Sequence, residues 1–399
     1  SRDVYYLENK EIAVLTKESI DVYDKNLKHK EISMTSIKWD SDSATKEGYK
    51  HFMIKEIFEQ PKVVEKTINT HIKNNKVDIE LNFNINQINK IYIVACGTAY
   101  HAGLNAKYLF ESLVKISTEV DIASEFRYRN PILDEKTLVV IISQSGETAD
   151  TLAALRLAKS KKCQIVSIVN VVGSSIAREA DNVIYTWAGP EIAVASTKAY
   201  TTQLAILYLL SIKFAKENKK ITEKEYLNLL NEIKNIPNKI EKSLKLEKKI
   251  KDLAKKFYKN KDVYFIGRGI DYCNSMEGSL KLKEVSYIHA ESYAAGELKH
   301  GAIALIEKNT LVIASATYND LLLKTISNIK EVKSRGAITL IISNEKIEGD
   351  YNLIVESTYE YFKSIINIIP LQLLAYYISY YKKCDIDKPK NLAKSVTVE

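Results

Sequence analysis

The chain has 399 residues, of which 46% are hydrophobic and 27% are charged. This balance excludes a disordered or fibrous protein and provides enough apolar residues for two or three cores. The net charge of +8 rests on 58 basic residues, but only seven of them are arginines and the lysines are spread along the chain. We therefore expect no nucleic-acid partner, because such partners are usually bound by clustered basic residues that include arginine.

The sequence gives no sign of a membrane, disulfide or metal site. No apolar run approaches the roughly 20 residues that span a bilayer, and the first residues lack the order of a signal peptide, so we expect a cytoplasmic chain without a membrane partner. The four cysteines lie far apart, at positions 96, 163, 273 and 384, and are predicted to be reduced thiols. No group of Asp, Glu and His has the spacing of metal ligands, and we expect neither metal nor cofactor.

The first 85 residues precede the main pattern. In residues 1–40, the runs Val4–Leu7 and Ile12–Leu15 are joined by a short polar stretch and predict a hairpin that resembles the end of a larger domain. Residues 41–85 predict a helical lead-in, with helices broken at Pro61.

An internal repeat dominates the rest of the chain. Four short apolar runs recur in the same order about 172 residues later; the pairs are 91–94 with 263–266, 138–141 with 311–314, 165–168 with 338–341, and 183–185 with 353–355. Each run is apolar without alternation, as expected for parallel strands buried on both faces, and helical patterns lie between the runs. The sequence predicts an α/β fold with two tandem doubly wound parallel-sheet domains of flavodoxin-like three-layer type, arising from an internal duplication. Their predicted limits are 86–220 and 256–385, with a helical linker at 221–255 and a tail or lid at 386–399.

A cluster of hydroxyl residues follows the second strand of the first copy. The segment Ser143–Thr148 carries Ser143, Ser145, Gly146 and Thr148 and leads into a helix. The amino end of a helix at the carboxyl edge of a parallel sheet attracts anions, so we predict a phosphate site, with ordinary helix capping as the alternative. The aligned segment 316–321 of the second copy has lost nearly all of this, so the sequence predicts one phosphate site per chain.

The turn Cys96–Ala99 follows the first strand of the same copy and is expected to line the same crevice, with Thr98 available for a hydroxyl contact. A full Gly-x-Gly-x-x-Gly pattern with a downstream acidic ribose ligand is missing, which argues against a dinucleotide. The expected ligand is a small phosphorylated molecule.

Three titratable residues in the second copy are candidates for chemistry. Glu284 lies on an otherwise apolar stripe of a predicted helix with Lys281 three residues before it, which fits either a functional carboxylate or an exposed ion pair. His300 lies in a glycine-flanked loop, which slightly favours a titrating role over a packing role.

These motifs resemble the isomerase region of the glucosamine-6-phosphate synthase family over nearly the whole chain. The resemblance is carried by five segments: Ser143–Thr148, Val194–Lys198, Leu280–Glu284, Gly296–Gly301 and Asn391–Glu399. It implies that the two sheets are the sugar isomerase (SIS) domains of that family and that residues 1–40 are the last piece of a glutaminase domain. Residue 1 is Ser rather than the nucleophilic cysteine of that domain, so this chain is not expected to hydrolyse glutamine.

The resemblance also implies roles for individual residues. Fructose-6-phosphate would be converted towards glucosamine-6-phosphate for amino sugar synthesis, with ammonia from the glutaminase domain, in a homodimer in which His300 comes from the neighbouring subunit and assists ring opening. Glu284 would move a proton between C1 and C2, with Lys281 beside it and Lys394 near the sugar carbonyl. The implied substrate contacts are Ser143, Gln144, Ser145 and Thr148 to the phosphate and Val194 and Ser196 to the sugar. One departure is Ala99, where the family often has a phosphate-contacting Ser, so that Thr98 or water would replace it.

Two other functions remain open from the sequence. One is a phosphosugar isomerase that does not use ammonia. The other is a non-catalytic phosphosugar sensor, which would keep the hydroxyl cluster but would need neither Glu284 nor Lys394, and the chain has no recognisable helix-turn-helix module.

Overall fold

The structure is a computed structural model that describes residues 3–8, 10–36 and 45–398. The chain divides into two compact units, residues 1–45 and 46–399. Ser1 and Glu399, which figure in the predictions above, lie outside the described residues, as does one residue of the polar stretch between the runs Val4–Leu7 and Ile12–Leu15.

The described residues of the first unit form five short strands, and the predicted hairpin between its first two runs is wrong. Its strands are β1 (Asp3–Val4), β2 (Ile12–Leu15), β3 (Ile20–Tyr23), β4 (His29–Lys30) and β5 (Thr35–Ser36). Strand β1 pairs with β5, whereas β2 pairs with β3, and β3 pairs with β4, all antiparallel. A second run of alternating residues, 20–23, is the nearer partner for β2, and the sequence interpretation overlooked it.

The second unit contains two α/β domains. It begins with α1 (Phe52–Thr70), β6 (Ile72–Lys73) and β7 (Lys76–Val77). The first domain consists of β8 (Lys90–Ala95), α2 (Gly97–Leu109), β9 (Ser117–Ile122), α3 (Ala123–Phe126), β10 (Thr137–Ser143), α4 (Ala149–Ser160), β11 (Gln164–Val169), α5 (Ser175–Glu179), β12 (Asn182–Tyr185) and α6 (Lys198–Glu217). The connecting helices are α7 (Glu223–Lys234), α8 (Ile236–Leu244) and α9 (Glu247–Phe257). The second domain consists of β13 (Asp262–Gly267), α10 (Ile270–Ser286), β14 (His289–Ala294), β15 (Leu311–Ala316), α11 (Leu322–Lys333), β16 (Ile338–Ser343), β17 (Tyr351–Ile354) and α12 (Ser364–Lys382).

The two domains have the same sheet topology, which confirms the predicted fold class. The strand orders are β12-β11-β10-β8-β9 and β17-β16-β15-β13-β14, with all five strands of each sheet parallel. In each sheet the second strand in the chain lies on one side of the first strand, and the third, fourth and fifth strands follow one another on its other side. The order therefore reverses between β8 and β10 and between β13 and β15, which is where open α/β sheets bind ligands.

The strands are buried on both faces, as their unbroken apolar sequences predict. In β8, Ile91 and Ile93 pack into the large core that also contains α1, α6 and α12, whereas Tyr92 and Val94 pack into a separate cluster under α4. The second sheet repeats this arrangement, because Val263 belongs to the large core and Tyr264 to a third cluster. The large core is thus shared by both domains and holds them together.

The sequence analysis missed the fifth strand of each sheet. Strands β9 and β14 lie at sheet edges and have the mixed sequences STEVDI and HAESYA, whose side chains are mostly half-buried or exposed. An edge strand has one unpaired side and therefore tolerates polar residues that conceal the apolar run. The repeat alignment also shifts by one residue at the third predicted run, which forms β11 and β16, because Gln164 lies opposite Leu138 whereas Ile338 lies opposite Leu311.

Pro61 does not break the first helix, contrary to the prediction. Helix α1 continues through it from Phe52 to Thr70. A proline inside a helix removes one N–H donor and leaves the carbonyl four residues earlier without its partner. Here the side-chain amide of Gln60 donates to the carbonyl of Ile57 at 3.0 Å, which satisfies that acceptor.

The segment Glu360–Lys382, which includes α12, is long and apolar enough to cross a membrane by length and composition, although the sequence analysis found no such run. Its apolar window is entirely buried inside the second unit. Burial of this kind is typical of the central helix of a folded core.

Candidate functional site

A cavity of about 320 Å³ opens at the carboxyl edge of the first sheet, where the strand order reverses between β8 and β10. Ten of the eleven residues predicted for the site line this cavity: Thr98, Ser143, Gln144, Ser145, Thr148, Val194, Ser196, Lys281, Glu284 and Lys394. They come from the turns after two strands of the first domain, from the loop before α6, from α10 of the second domain and from the tail. Residues separated by nearly 300 positions thus meet at one edge of one sheet.

The hydroxyl cluster has the geometry of a cradle rather than of a helix cap. Thr148 occupies the capping position of α4 but makes no capping hydrogen bond. Instead its hydroxyl lies 3.0 Å from that of Ser143, which also accepts a hydrogen bond from the N–H of Gly146 at 3.0 Å. Gly146 has φ = +67°, and a side chain there would collide with Ser174. The turn therefore requires glycine and presents hydroxyls beside the positive end of α4, which favours an anion.

The tail closes one side of this cradle. The hydroxyl of Ser395 lies 3.0 Å from that of Ser145, and the carbonyl of Val396 accepts a hydrogen bond from the N–H of Ala149 at 3.1 Å. Further back, the carboxylate of Asp387 accepts hydrogen bonds from the N–H groups at the start of α1. The tail is therefore attached both at its base and at its contact with the cradle.

A buried network links the two domains at the floor of the cavity. The hydroxyl of Thr98 donates to Glu277 at 3.0 Å and accepts from the ammonium of Lys281 at 2.9 Å. The other carboxylate oxygen of Glu277 lies 2.7 Å from Nδ1 of His101. Because the hydroxyl of Thr98 already has these two partners, its expected substrate contact remains a prediction.

Lys281 and Glu284 form an ion pair between a buried ammonium and a half-buried carboxylate, rather than the exposed pair that the sequence left open. Lys281 is fully buried, and its ammonium lies 2.6 Å from Glu284 and 3.4 Å from Glu277. Burial lowers the pKa of Lys281, but the two carboxylates outweigh this effect and hold the pKa above its ordinary value. Helical spacing brings the three groups together, since they are four and three residues apart on α10.

Lys394 of the tail reaches a second buried carboxylate. Its ammonium donates to Glu191 at 2.5 Å and to the hydroxyl of Ser196 at 3.4 Å. Glu191 is buried, and its other oxygen accepts from the N–H groups of Thr197 and Ala199 at the start of α6. Burial raises the pKa of Glu191, but the opposing effect of Lys394 and these hydrogen bonds is larger. The pKa of Glu191 is therefore below its ordinary value, and the carboxyl stays charged.

Glu56 of α1 is a third buried carboxyl behind this pair. It accepts hydrogen bonds from the N–H groups of Ile192 and Ala193 at 2.5 and 3.3 Å. Burial and the neighbouring charge of Glu191 raise the pKa of Glu56 to about 8. The pKa values of these two neighbouring carboxyls are therefore shifted in opposite directions.

His300 lies away from the cavity within this chain. It ends a short 3₁₀ helix, Glu297–His300, and its side chain is exposed. The prediction that His300 acts in the site of a neighbouring subunit therefore remains a prediction.

Sequence reasoning missed four residues of these networks: Glu56, His101, Glu191 and Glu277. The sequence does contain a signal for Glu277, because this residue precedes Lys281 by one helical turn. It does not lie on the apolar stripe that singled out Glu284. Glu56 and Glu191 carry no local signal, since their partners are backbone groups and a lysine far away in the chain. Among the described residues, no group of three or more His, Cys, Asp or Glu side chains is arranged to hold a metal ion, and all four cysteines are free.

Comparison with known proteins assigns this architecture to a family. The model of the SIS domain matches residues 84–213 and 256–380. Glutamine–fructose-6-phosphate aminotransferase [isomerizing] of Clostridium tetani is 53% identical over 410 residues, and that of Caldanaerobacter subterraneus subsp. tengcongensis is 51% identical over 409 residues. The chain belongs to this family. Each match covers 100% of the chain and 67% of the relative, and the chain corresponds to the portion with the two SIS domains.

Two solved structures resemble the chain over most of its length. The C-terminal domain of glucosamine-fructose-6-phosphate aminotransferase from Francisella tularensis has a TM-score of 0.83 and 40% identity, and the match covers 87% of this chain and all of that one. A glucosamine-6-phosphate deaminase from Thermotoga maritima has a TM-score of 0.68 at 25% identity, covering 86% of this chain and 99% of that one. The predicted domain limits 86–220 and 256–385 remain predictions beside the matched ranges.

Proposed function

We propose that the chain binds fructose-6-phosphate in the 320 Å³ cavity and moves a proton between C1 and C2 of the sugar, as the isomerase part of a reaction that forms glucosamine-6-phosphate. The observation that carries this proposal is that a hydroxyl cradle for an anion and a buried carboxylate–ammonium pair line one cavity. The names of the relatives supply the sugar phosphate, since they are aminotransferases that act on fructose-6-phosphate.

The phosphate is held by Ser143, Gln144, Ser145 and Thr148, beside the amino end of α4. Charge-assisted hydrogen bonds to a phosphate are short and strong, and the helix end adds favourable electrostatics without a lysine or arginine in the cradle. Val194 and Ser196, in the loop before α6, contact the sugar. This arrangement leaves C1 and C2 directed towards α10.

Glu284 is the base that takes a proton from one carbon and returns it to the other. Its carboxylate is half-buried and lies 2.6 Å from the ammonium of Lys281, so the base is oriented before the substrate arrives. As the enediol or its amino counterpart forms, negative charge develops on the sugar oxygens, and the ammonium groups of Lys281 and Lys394 stabilise it. No step requires a metal ion.

Two parts of the proposal concern groups outside this chain. A glutaminase portion supplies ammonia from glutamine, and a second copy of the chain donates His300 to assist ring opening. A homodimer is therefore the proposed working form. The alternative function is that of an isomerase that does not use ammonia, and an assay of product formation with and without ammonia distinguishes the two functions.

The experiment that tests the proton transfer is exchange of deuterium into fructose-6-phosphate, followed by NMR. Glu284→Gln keeps the shape of the side chain but cannot accept a proton, so we expect exchange to fall by at least about 100-fold while calorimetry shows that the sugar still binds. Glu348→Gln is the matched control, because Glu348 is exposed and lies outside the cavity. Exchange at the wild-type rate in Glu284→Gln would reduce Glu284 to a structural partner of Lys281.

Binding at the cradle is tested separately with Ser145→Ala/Thr148→Ala. Each lost charge-assisted hydrogen bond is expected to weaken binding of fructose-6-phosphate by about 1–3 kcal/mol without unfolding the chain. Ser160→Ala removes a hydroxyl from the far end of the same helix and is expected to leave binding unchanged. Unchanged affinity for fructose-6-phosphate in the double variant would show that the phosphate binds somewhere other than the cradle.

A further inference from the structure

A buried carboxylate occupies the switch point of the second sheet, the place that corresponds to the cavity of the first. Asp271, in the first turn of α10, is 1% exposed. Its carboxylate accepts hydrogen bonds from the N–H groups of Thr317 and Tyr318 at 2.7 and 2.8 Å, and from the hydroxyl of Thr317 at 2.6 Å. The side-chain amide of Asn367 lies 3.5 Å from the same carboxylate. The mechanism proposed above uses none of these groups.

The internal repeat aligns this arrangement with the phosphate cradle. Gly97 and Gly269 follow the first strand of their domains and have matching φ values of +55° and +57°, which fixes the alignment of the two turns. Two residues after each glycine stand Ala99 in the first domain and Asp271 in the second. Ala99 lines the cavity.

The acceptors of the anion align in the same way. Leu138 of β10 and Leu311 of β15 occupy the same register against the first strands, since they lie opposite Ile91 and Val263. Counting forward from these leucines, the N–H groups of Thr317 and Tyr318 correspond to those of Gln144 and Ser145 in the cradle. Asp271 therefore directs its carboxylate at the backbone positions where the first domain has its proposed phosphate site.

We infer that the carboxylate of Asp271 is a built-in anion that fills the second domain's own anion site, so that this domain cannot take a sugar phosphate. A carboxylate on two N–H groups and a hydroxyl reproduces the hydrogen bonds that a phosphate would make there. The ring of Tyr318 lies close to Gly269 in the same turn, where an added Cβ would be 2.9 Å from it. Buried Lys363 donates to the carbonyl of Thr317 at 2.5 Å and to Glu360 at 2.9 Å. Burial raises the pKa of Asp271, and the hydrogen bonds from Thr317 and Tyr318 and the charge of Lys363 act against it by lowering that pKa.

The inference is tested in a chain that lacks the first cradle, with inorganic phosphate as the probe. In the Ser145→Ala/Thr148→Ala parent, Asp271→Ala gives the second domain the residue that the first has at the aligned position. Calorimetry at constant ionic strength is expected to show one phosphate bound per chain in the triple variant and none in the parent over the same concentrations, with a saturable rise in melting temperature. Asp271→Asn keeps an oxygen on the two N–H groups and is expected to behave as the parent.

Three results would overturn the inference. The first is a folded triple variant that titrates like its parent, and the second is an Asn variant that binds phosphate as the Ala variant does. If the Asp271→Ala variant is recovered unfolded, it is refolded in phosphate and, separately, in chloride of equal ionic strength. Refolding in phosphate alone supports the inference. Failure to refold in either salt is the third result that would overturn it. Because the triple variant is compared only with its own parent, in which the first cradle is already weakened, none of these results depends on whether that cradle binds fructose-6-phosphate.

Discussion

Glu277 shows how a single residue connects the two domains at the site. It belongs to α10 of the second domain, yet its carboxylate contacts Thr98 and His101 at the start of α2 in the first. It also supplies one of the two negative charges beside the buried ammonium of Lys281. Glu277 does not line the cavity, so we assign it the role of positioning Lys281 and, through it, Glu284.

Glu277→Gln is expected to slow proton exchange while leaving sugar binding unchanged. The amide keeps the shape but removes a charge beside a fully buried ammonium, so the pKa of Lys281 falls and the free energy of unfolding drops by about 1–3 kcal/mol. Deuterium exchange, calorimetry and urea unfolding measure the three effects. An exchange rate whose pH dependence matches that of the wild type would show that Glu277 is only structural.

The matched control is Glu217→Gln on α6. Glu217 pairs with Lys213 at 2.5 Å with the same four-residue spacing, but its side chain is 41% exposed. Exposed helical pairs contribute only about 0.3–0.5 kcal/mol. A loss of stability in the control as large as in Glu277→Gln would mean that burial does not distinguish the two pairs.

Residues whose signal is local were predictable from the sequence. Ser143, Ser145 and Thr148 stand within six positions between a strand and a helix, and a single rule about parallel sheets gives their place in the cavity. Glu191 was not predictable, because its meaning depends on Lys394, about 200 residues away, and on backbone groups of α6. The resemblance to a family supplied Lys394 but not its buried partner.

At the scale of elements, the tail was predictable as a unit but its attachment was not. The lack of either period in residues 386–399 indicated a segment outside both sheets. The structure adds three contacts: Lys394 with Glu191, Ser395 with Ser145, and Val396 with Ala149. These contacts lie on the rim of the cavity, which supports the prediction that the tail is a lid.

Deleting residues 391–399 is expected to leave both sheets folded and to abolish proton exchange. The deletion keeps Asp387, which caps α1, and buried Ile386, but it removes the ammonium of Lys394 and opens the cavity to water. Circular dichroism and deuterium exchange test the two outcomes. In the intact chain, fructose-6-phosphate is expected to protect the tail from carboxypeptidase, because an ordered lid is cleaved less often.

A shorter deletion of residues 397–399 is the control for the tail. It keeps all three contacts and is expected to retain exchange. Full activity in the longer deletion, with an unchanged melting temperature, would show that the tail contributes nothing to the site.

At the scale of the whole molecule, the duplication gives a physical reason for the single site that the sequence predicts in each chain. The two domains share strand order and a common core, but the first contributes the hydroxyl cradle and the second contributes α10 with Lys281 and Glu284. The repeat could be detected from the apolar runs in the sequence, because buried parallel strands need continuous apolar residues. In the sequence, the difference between the two domains was visible only as the loss of hydroxyls in residues 316–321. The hydrogen bonds of the Asp271 carboxylate to Thr317 and Tyr318 could be seen only in the structure.

The stability of the whole molecule is expected to depend on pH through Glu56. Its pKa is about 8 in the folded chain, against an ordinary value of 4.5. Below pH 4.5 the carboxyl is protonated in both states. Between pH 4.5 and 8 the unfolded chain releases the proton and the folded chain keeps it, so the free energy of unfolding falls as pH rises, by at most about 1.4 kcal/mol per pH unit.

Glu56→Gln isolates this effect from the other titrating groups. The amide resembles the protonated carboxyl and still accepts hydrogen bonds from Ile192 and Ala193, but it does not titrate. The difference in urea midpoint between Glu56→Gln and the wild type is therefore expected to grow from pH 5.5 to pH 8 in favour of the variant and to level off above. Glu65→Gln, exposed on the same helix, is expected to show no such trend. A difference that stays constant from pH 5.5 to 8 would mean that Glu56 is already charged at neutral pH, and that Lys394 compensates both buried carboxylates rather than Glu191 alone.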